Sequence, residues 1–471
     1  MPRPYRNIDP ITQLSSADVL ARCAEIDGPD TVIALRSVLA LDSDAVARTK
    51  AVEKSEGLLH GVPVLVKDNI ETEGLPCTAG SHALLGVPIR GDSTVASRLR
   101  RAGAVIIGSA NLSEWANIRS TGSSSGWSAV GGLVANPWAL DRSAGGSSSG
   151  SGAAVAAGIV PMAVGTETDG SITCPAALNG VVGIKPTVGL IPTDGVVPVS
   201  GSQDTPGPLA RKVDEAERML AVLTDDVGLL ERSRGTNISS LTVGVADVWR
   251  TGHEQTDALF DEALRHVRKL VQSVSASNMV ATPEEVHNDE VTVLVHELRS
   301  DLDEYLASRV VNGAPASILE VIEFNRVNAH IELAHFGQEL FEIAAESNGR
   351  AAAEYESARR RNLEWVRDHL DVALKAHDVL IAPAYMPAWK TDFAVGHPPA
   401  GGAVTTPAAI AGLPVITIPM GLVSGLPVAL SLVGAKRSEA MLIALARSVE
   451  NSLGIVQDNA WQPSFAPSAP M

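Results

Sequence analysis

The chain has 471 residues, of which 45% are hydrophobic and 19% charged, so it is long enough to bury a large core. Its formal net charge of −17 argues against nucleic acid and anionic membranes as partners, because both need a basic protein surface. Its three widely spaced cysteines form neither a disulfide framework nor a paired metal motif, and neither a secretory signal nor a bilayer-spanning run is visible, so a cytoplasmic protein is expected.

The N-terminal part of the chain predicts helices that alternate with buried strands. In chain order the pattern predicts helices within 16–54, one of them at Asp42–Lys54, then a buried strand at Gly61–Val66, a helix at Thr94–Arg101 and a buried strand at Ala104–Gly108. This alternation indicates an open α/β sheet, in which ligands bind at the carboxyl ends of the strands.

Two glycine- and serine-rich loops follow, Gly145–Gly152 and Gly165–Ser171. The apolar stretch between them predicts a short buried helix up to Gly158 and a strand at Met162–Thr166. Because core sequence follows the first loop directly, a flexible linker is disfavoured, and a packed loop that exposes backbone N–H groups to an anion or oxyanion is favoured. If the helix and strand fold back on each other, the two loops meet.

The rest of the chain predicts a return to the same sheet. In order, the pattern predicts a proline-rigidified loop at Ser202–Arg211, a helix at Val213–Thr224, a strand from Leu241, amphipathic helices within 253–377, strands from Asp378, Ile410 and Gly425, a helix at Ser438–Leu453 and a disordered tail from Gln462. No repeat or strong linker interrupts it, so we expect one domain over 1–471, with a catalytic core at 55–225 and 378–455 and a helical variable region at 253–377.

Several kinds of site have little support. Two G-x-S-x-G matches, centred on Ser124 and Ser148, lie in glycine/serine runs without the preceding strand that a nucleophile elbow needs. No P-loop motif and no histidine pair with metalloprotease spacing occur. We therefore expect no metal and no cofactor.

The arrangement that remains is Lys67, Ser147 and Ser171. A lysine at the end of a buried strand is desolvated, loses its proton more easily and can act as a base. Ser171 begins a helical segment, so backbone N–H groups there are free to stabilise an oxyanion. They belong to Thr168, Asp169, Gly170 and Ser171. In this hypothesis Ser171 attacks a carbonyl while Ser147 relays its proton to Lys67.

Three long motifs resemble the amidase signature family: GVPVLVKDNI, GGSSSGSGAAVAAG and GTETDGSITCPAALNGVVGIKPT. The resemblance extends to SQDTPGPLAR, AGLPVITIP and GLPVALSLVG. It implies a single α/β domain with a large twisted mixed sheet covered by helices on both faces. It also implies a Ser-cisSer-Lys triad, with Ser171 as nucleophile, Ser147 as the serine in a cis peptide and Lys67 as base.

Within that family, NLSEWAN, SGWSA and PAYMPAW are most similar to bacterial peptide amidases, which hydrolyse peptide C-terminal amides. The resemblance implies an amidase for peptide amides, aryl acylamides or similar small amides, acting as a monomer or homodimer. The loop at Gly122 and Ser123, together with Ser148, is expected to contact substrate, and Asp204 to brace its own loop.

Three alternatives stay open at this point. The same acyl-enzyme mechanism would also hydrolyse esters and carbamates, so the chain could be a promiscuous amidase, esterase or urethanase. The chain could be the glutaminase subunit of a tRNA-dependent amidotransferase, or a binding protein on an inactive amidase scaffold.

Overall fold

The computed structural model describes residues 15–45, 47, 57–309, 313–398, 401–455 and 461–469. Within these ranges an eleven-stranded mixed sheet has the strand order β1-β3-β2-β8-β10-β9-β14-β15-β13-β11-β12, and β4–β7 form two small ribbons beside it. The strands are β1 (Val38–Leu41), β2 (Pro63–Lys67), β3 (Val105–Ala110), β4 (Trp127–Ser128), β5 (Gly132–Leu133), β6 (Ala135–Asn136), β7 (Ala139–Ser143), β8 (Met162–Glu167), β9 (Val182–Lys185), β10 (Thr205–Ala210), β11 (Thr242–Val245), β12 (Ser273–Ala276), β13 (Val379–Pro383), β14 (Val415–Val423) and β15 (Leu426–Gly434).

Fourteen α-helices occur in the described ranges, and none of them is long and apolar enough to cross a membrane. They are α1 (Ser16–Ile26), α2 (Thr94–Arg101), α3 (Ser149–Ala156), α4 (Thr173–Asn179), α5 (Val213–Leu223), α6 (Gly228–Gly235), α7 (Glu254–Val267), α8 (Glu284–Ala307), α9 (Ile318–Val327), α10 (Ala329–Glu332), α11 (Glu339–Glu346), α12 (Ala353–Ala376), α13 (Thr405–Ala411) and α14 (Glu439–Leu453).

The centre of the sheet brings two strand ends together. Strands β2 and β8 are parallel, with Val66 opposite Val164, so their carboxyl ends lie at the same edge of the sheet. Both strands are buried along their whole length, which explains their continuous apolar sequences. The loops that follow β2 and β8 are therefore neighbours.

Helices α3 and α4 flank β8 in the chain and pack closely. Every residue of both helices is buried, although α3 consists of serine, glycine, alanine and a single valine. A Cβ at Gly152 would lie 2.9 Å from Asn179 Nδ2 and 3.1 Å from Pro175 O. The small residues of the first glycine/serine loop thus let α3 approach α4.

The helical region packs onto the core through α8. Three of its acidic residues accept hydrogen bonds from the loop at 199–204: Glu290 from Gln203, Glu297 from Ser200 and Ser202, and Asp301 from Gly201. One hydrophobic cluster also joins residues from Leu59 to Val449, so the early and late strands of the sheet share a core.

The structure corrects several predicted elements. Val38–Leu41 is a strand within the stretch predicted as helical, and the helix predicted at Asp42–Lys54 lies mostly outside the described residues. The edge strand Ser273–Ala276 lies inside the region predicted as purely helical. The tail predicted as disordered from Gln462 is ordered in its described part, where Phe465 N–H donates to Pro137 O at 2.9 Å.

The loop predicted at Ser202–Arg211 contains strand β10. Its two prolines, Pro206 and Pro208, pair with β8, while β9 pairs only with Leu209 and Ala210. A proline inside a strand is tolerated where its missing N–H group faces no hydrogen-bonded neighbour. Prolines are therefore compatible with this position even though they suggest a loop.

Candidate active site

Lys67 ends β2 with its side chain fully buried, at 0% exposure. Its Nζ lies 2.8 Å from Ser147 Oγ, 2.9 Å from Thr166 Oγ1 and 3.3 Å from Thr166 O. Asn69 Nδ2 donates to the same Thr166 hydroxyl at 3.0 Å. The predicted base thus contacts one of the two predicted serines directly.

The surroundings of Lys67 favour its neutral form. Burial lowers the pKa of Lys67 to about 7, and the negative charges of Asp204 and Glu167 only partly oppose that shift. With the amine protonated, Nζ donates to Ser147 Oγ. Once the amine is neutral, its lone pair can accept the hydroxyl proton across the same 2.8 Å.

Ser147 lies between β7 and α3 and is fully buried. The Gly146–Ser147 peptide bond is cis. Ser113 N–H donates to Ser147 O at 3.0 Å, and a Cβ at Gly146 would lie only 2.3 Å from Ser113 Oγ. Close packing against Ser113 therefore fixes the backbone on which the Ser147 hydroxyl is carried.

Ser171 lies in the turn between β8 and α4 and is 7% exposed. Glu167 Oε2 closes this turn by accepting hydrogen bonds from Ile172 N–H at 2.6 Å and Thr173 N–H at 2.8 Å. Ser148 N–H donates to Ser171 O at 3.1 Å. The loop that carries Ser147 therefore touches the turn that carries Ser171.

The backbone of that turn has unused donors. Among the described residues, no hydrogen-bond acceptor is found for the N–H groups of Thr168, Asp169, Gly170 and Ser171. Gly170 and Ser171 are buried and Thr168 and Asp169 are half-buried, and buried N–H groups without a partner are uncommon in folded proteins. They are the groups expected to bind an oxyanion.

Two side chains of the turn that carries Ser171 form hydrogen bonds with residues outside this turn. Thr168 Oγ1 donates to Asp204 Oδ1 at 2.6 Å, and Thr406 Oγ1 donates to Asp169 Oδ2 at 2.6 Å. The second oxygen of Asp204 accepts from Val199 N–H at 2.8 Å and Ser200 N–H at 2.9 Å. Asp204 thus braces its own loop, as the sequence predicts, and in addition holds Thr168.

A family model described as Amidase matches residues 19–443 of this chain. The chain belongs to the amidase family. Its membership makes it a hydrolase of carbon–nitrogen bonds other than peptide bonds, and it confirms the family and fold class that the sequence motifs predict.

Relatives of this amidase-family chain include proteins with different activities. The solved structure of a peptide amidase from Stenotrophomonas maltophilia is 36% identical, with a TM-score of 0.85 over 93% of this chain and 92% of that chain. A glutamyl-tRNA(Gln) amidotransferase subunit from Symbiobacterium thermophilum is 33% identical over 468 residues, covering 92% of this chain and 93% of the relative. A probable amidase of Arabidopsis thaliana is 34% identical over 442 residues, covering 89% and 83%.

The residues predicted to bind substrate differ in their surroundings. Ser148 is fully buried, and its Oγ donates to Thr166 O at 3.0 Å and accepts from Thr166 N–H at 3.2 Å. Ser123 Oγ donates to Ser120 O at 2.8 Å, whereas Gly122 is half-buried and lies near Phe336. Their contact with substrate stays a prediction, and Gly122 has the most open surroundings of the three.

Sequence reasoning missed two residues of this amidase site, Thr166 and Ser113. Thr166 contacts Lys67, Ser148 and Asn69, and Ser113 contacts the backbone of Ser147. Hydroxyl residues are common, and neither of these two lies in a pattern of its own. The only available signal for Thr166 is its position at the end of β8, at the same sheet edge as Lys67.

Proposed function

We propose that the protein hydrolyses small amides through an acyl-enzyme on Ser171, with Ser147 and Lys67 as its proton relay. The observation that carries this proposal is the buried contact of 2.8 Å between Lys67 Nζ and Ser147 Oγ, beside the turn that holds Ser171. A serine becomes a nucleophile only next to a base, and a lysine desolvated to a pKa of about 7 can be that base.

The reaction has two halves. In the first, Ser171 Oγ attacks the carbonyl carbon, its proton passes through Ser147 Oγ to neutral Lys67, and the N–H groups of Thr168–Ser171 bind the oxyanion. The amine then leaves with a proton returned through the same relay. In the second half, water attacks the acyl-enzyme, loses its proton to the relay and releases Ser171 and the acid.

We propose peptide C-terminal amides, aryl acylamides or similar small amides as substrates. Similarity to the peptide amidase of Stenotrophomonas maltophilia over 93% of this chain supports that class. An oxyanion hole binds a carbonyl oxygen whatever the leaving group, so activity on esters and carbamates is the broader form of the same proposal.

The relationship to the glutamyl-tRNA(Gln) amidotransferase of Symbiobacterium thermophilum favours glutamine as the second candidate substrate. A glutamine pocket needs a cation for the α-carboxylate. Close to the Ser171 turn, however, lie the carboxyl groups of Glu167, Asp169 and Asp204 and the exposed His287, while Lys67 and Lys185 are fully buried and hydrogen-bonded within the protein. The described residues around the turn therefore fit glutamine poorly, and we propose a cytoplasmic monomer or homodimer that works without partner subunits.

The test is a hydrolysis panel on the purified protein, with Ser171→Ala as the blank. The panel holds a peptide C-terminal amide, an anilide, a p-nitrophenyl ester, a small carbamate and glutamine. We expect turnover of the peptide amide or the anilide in the wild type and none in the variant. Turnover in Ser171→Ala equal to the wild type would exclude the mechanism, and glutamine as the only substrate would favour the amidotransferase candidate.

The pH dependence of kcat/KM should follow the protonation state of Lys67. Because burial lowers the pKa of Lys67 to about 7, the neutral amine prevails above that pH and is lost below it. We expect kcat/KM to rise through about pH 7 to a plateau, and to fall about tenfold per pH unit on the acid side. A profile of kcat/KM between pH 5 and 9, on a substrate with no titrating group, measures this, and a flat acid side would contradict a lysine base.

A further inference from the structure

The loop at 121–127, called the serine loop below, is bound by a histidine far along the chain. Ser125 N–H donates to His397 Nε2 at 2.8 Å. A backbone N–H group can only donate, so Nε2 must be the unprotonated ring nitrogen. The ring of Trp389 packs edge-on against this histidine, with centroids 5.9 Å apart.

The serine loop lies against the backbone of Ser147. A Cβ at Gly146 would lie 2.9 Å from Ser125 Oγ, so Ser125 packs on the peptide unit just before Ser147. Gly126 N–H donates to Ser113 Oγ at 2.8 Å, and Ser113 N–H donates to Ser147 O at 3.0 Å. A displacement of Ser125 would therefore shift Ser147 in two ways: through its contact with Gly146, and through the hydrogen bonds that join Gly126, Ser113 and Ser147.

We propose that His397 is a positioning residue of this amidase: its neutral ring holds the serine loop against Gly146 and Ser147, and its protonation releases the loop. The inference rests on the proposed function, because it needs Ser147 to act in catalysis. Once Nε2 carries a proton, two N–H donors face each other and the contact with Ser125 is lost.

Few charged groups surround this histidine. The segment that carries His397 also carries Lys390 and Asp392. The segment at 335–339 carries His335 and Glu339, and the serine loop carries no charged or titratable residue. His335 stacks on Phe393 with centroids 3.8 Å apart. His397 is exposed at the surface, and partial desolvation by the packed neighbours lowers the pKa of its ring below its ordinary value. We therefore expect the release on the acid side of neutrality.

The variants His397→Gln and His397→Leu distinguish the effect of the hydrogen bond to Ser125 from the effect of the packed ring. Glutamine places an acceptor oxygen near the position of Nε2 and does not titrate, whereas leucine has no acceptor. His253 provides a matched control, because its Nδ1 accepts a hydrogen bond from Thr256 N–H at 3.3 Å at the start of α7. His253→Asn keeps that acceptor without titrating.

The measurement is the rate at which a fluorophosphonate labels Ser171, followed from about pH 5.5 to 8, together with kcat/KM. At pH 8 we expect His397→Leu to be roughly 10-fold slower than wild type, and His397→Gln to be within about twofold. On acidification the ratio of the His397→Gln rate to the wild-type rate should rise roughly 10-fold, because only the wild type loses the contact. His253→Asn should show a constant ratio.

Three results would overturn the inference while leaving the proposed function intact: a ratio for His397→Gln that does not change with pH, a His397→Leu variant as fast as wild type, or equal losses in both variants. Equal losses would mean that the ring matters only for packing. A wild type that no fluorophosphonate labels would instead remove the proposed function, and this inference with it.

Discussion

Lys67→Met is expected to lower kcat/KM by on the order of 10⁴-fold while the protein stays folded. The variant removes the group 2.8 Å from Ser147 Oγ and leaves the proton of Ser171 without a final acceptor. Methionine is close to lysine in length and suits a site at 0% exposure, so loss of packing is small. The measurement is kcat/KM on the best substrate of the panel, with circular dichroism as the check of folding.

Lys185 offers the matched control. It is also fully buried on a neighbouring part of the sheet, and burial lowers its pKa to about 8, but its Nζ donates to Leu413 O at 2.7 Å rather than to a serine. Lys185→Met should therefore lose stability, with at most about a tenfold loss of kcat/KM. Equal losses of activity in two variants that both stay folded would contradict a specific role of Lys67 as the base.

How far the sequence predicts this fold depends on whether local pattern and tertiary setting agree. They agree at Thr94–Arg101, where the predicted helix has the bounds that the structure gives, with Ser93 capping its first turn by accepting from Ala96 N–H. They disagree at β10, where Pro206 and Pro208 suggest a loop but both pair with β8, while β9 pairs only with Leu209 and Ala210. Edge strands such as Val38–Leu41 are short and half-exposed, so they carry little pattern of their own.

The same contrast between local sequence pattern and tertiary setting holds at the candidate active site. Lys67, Ser147 and Ser171 could be singled out because each lies in an unusual local sequence, and the structure brings them to one place. Their partners could not, because those contacts join distant parts of the chain: Thr166 is 99 residues from Lys67, and His397 is 272 residues from Ser125. Only the sheet register and the packing of the loops create such contacts.

Arg119→Met is expected to destabilise the protein by about 3–5 kcal/mol. Arg119 is fully buried directly before the serine loop, with its Nε 3.2 Å from Glu114 Oε1 and its guanidinium 4.4 Å from the ring centre of Phe336. Glu332, also fully buried, adds a second negative charge. Removal of the guanidinium leaves the buried Glu114 carboxyl group without its counter-charge, which costs free energy at neutral pH.

Burial already raises the pKa of Glu114 well above its ordinary value, and the charge of Arg119 opposes that shift. The double variant Arg119→Met/Glu114→Gln should therefore recover much of the stability that the single variant loses, because it removes the unpaired charge as well. The measurement is the free energy of unfolding from urea titrations at pH 7.5. Arg361→Met, which breaks an exposed pair with Asp289, is the control and should barely move the urea midpoint.

The two variants also distinguish what the buried pair does for the serine loop. If the double variant regains stability but stays slow in turnover, the ion pair fixes the position of the loop that packs on Gly146, at a cost in free energy that an apolar core would not carry. If stability and turnover return together, the pair serves folding only. A single variant as stable as the wild type would contradict both, because it would mean that Arg119 does not stabilise the Glu114 carboxyl group.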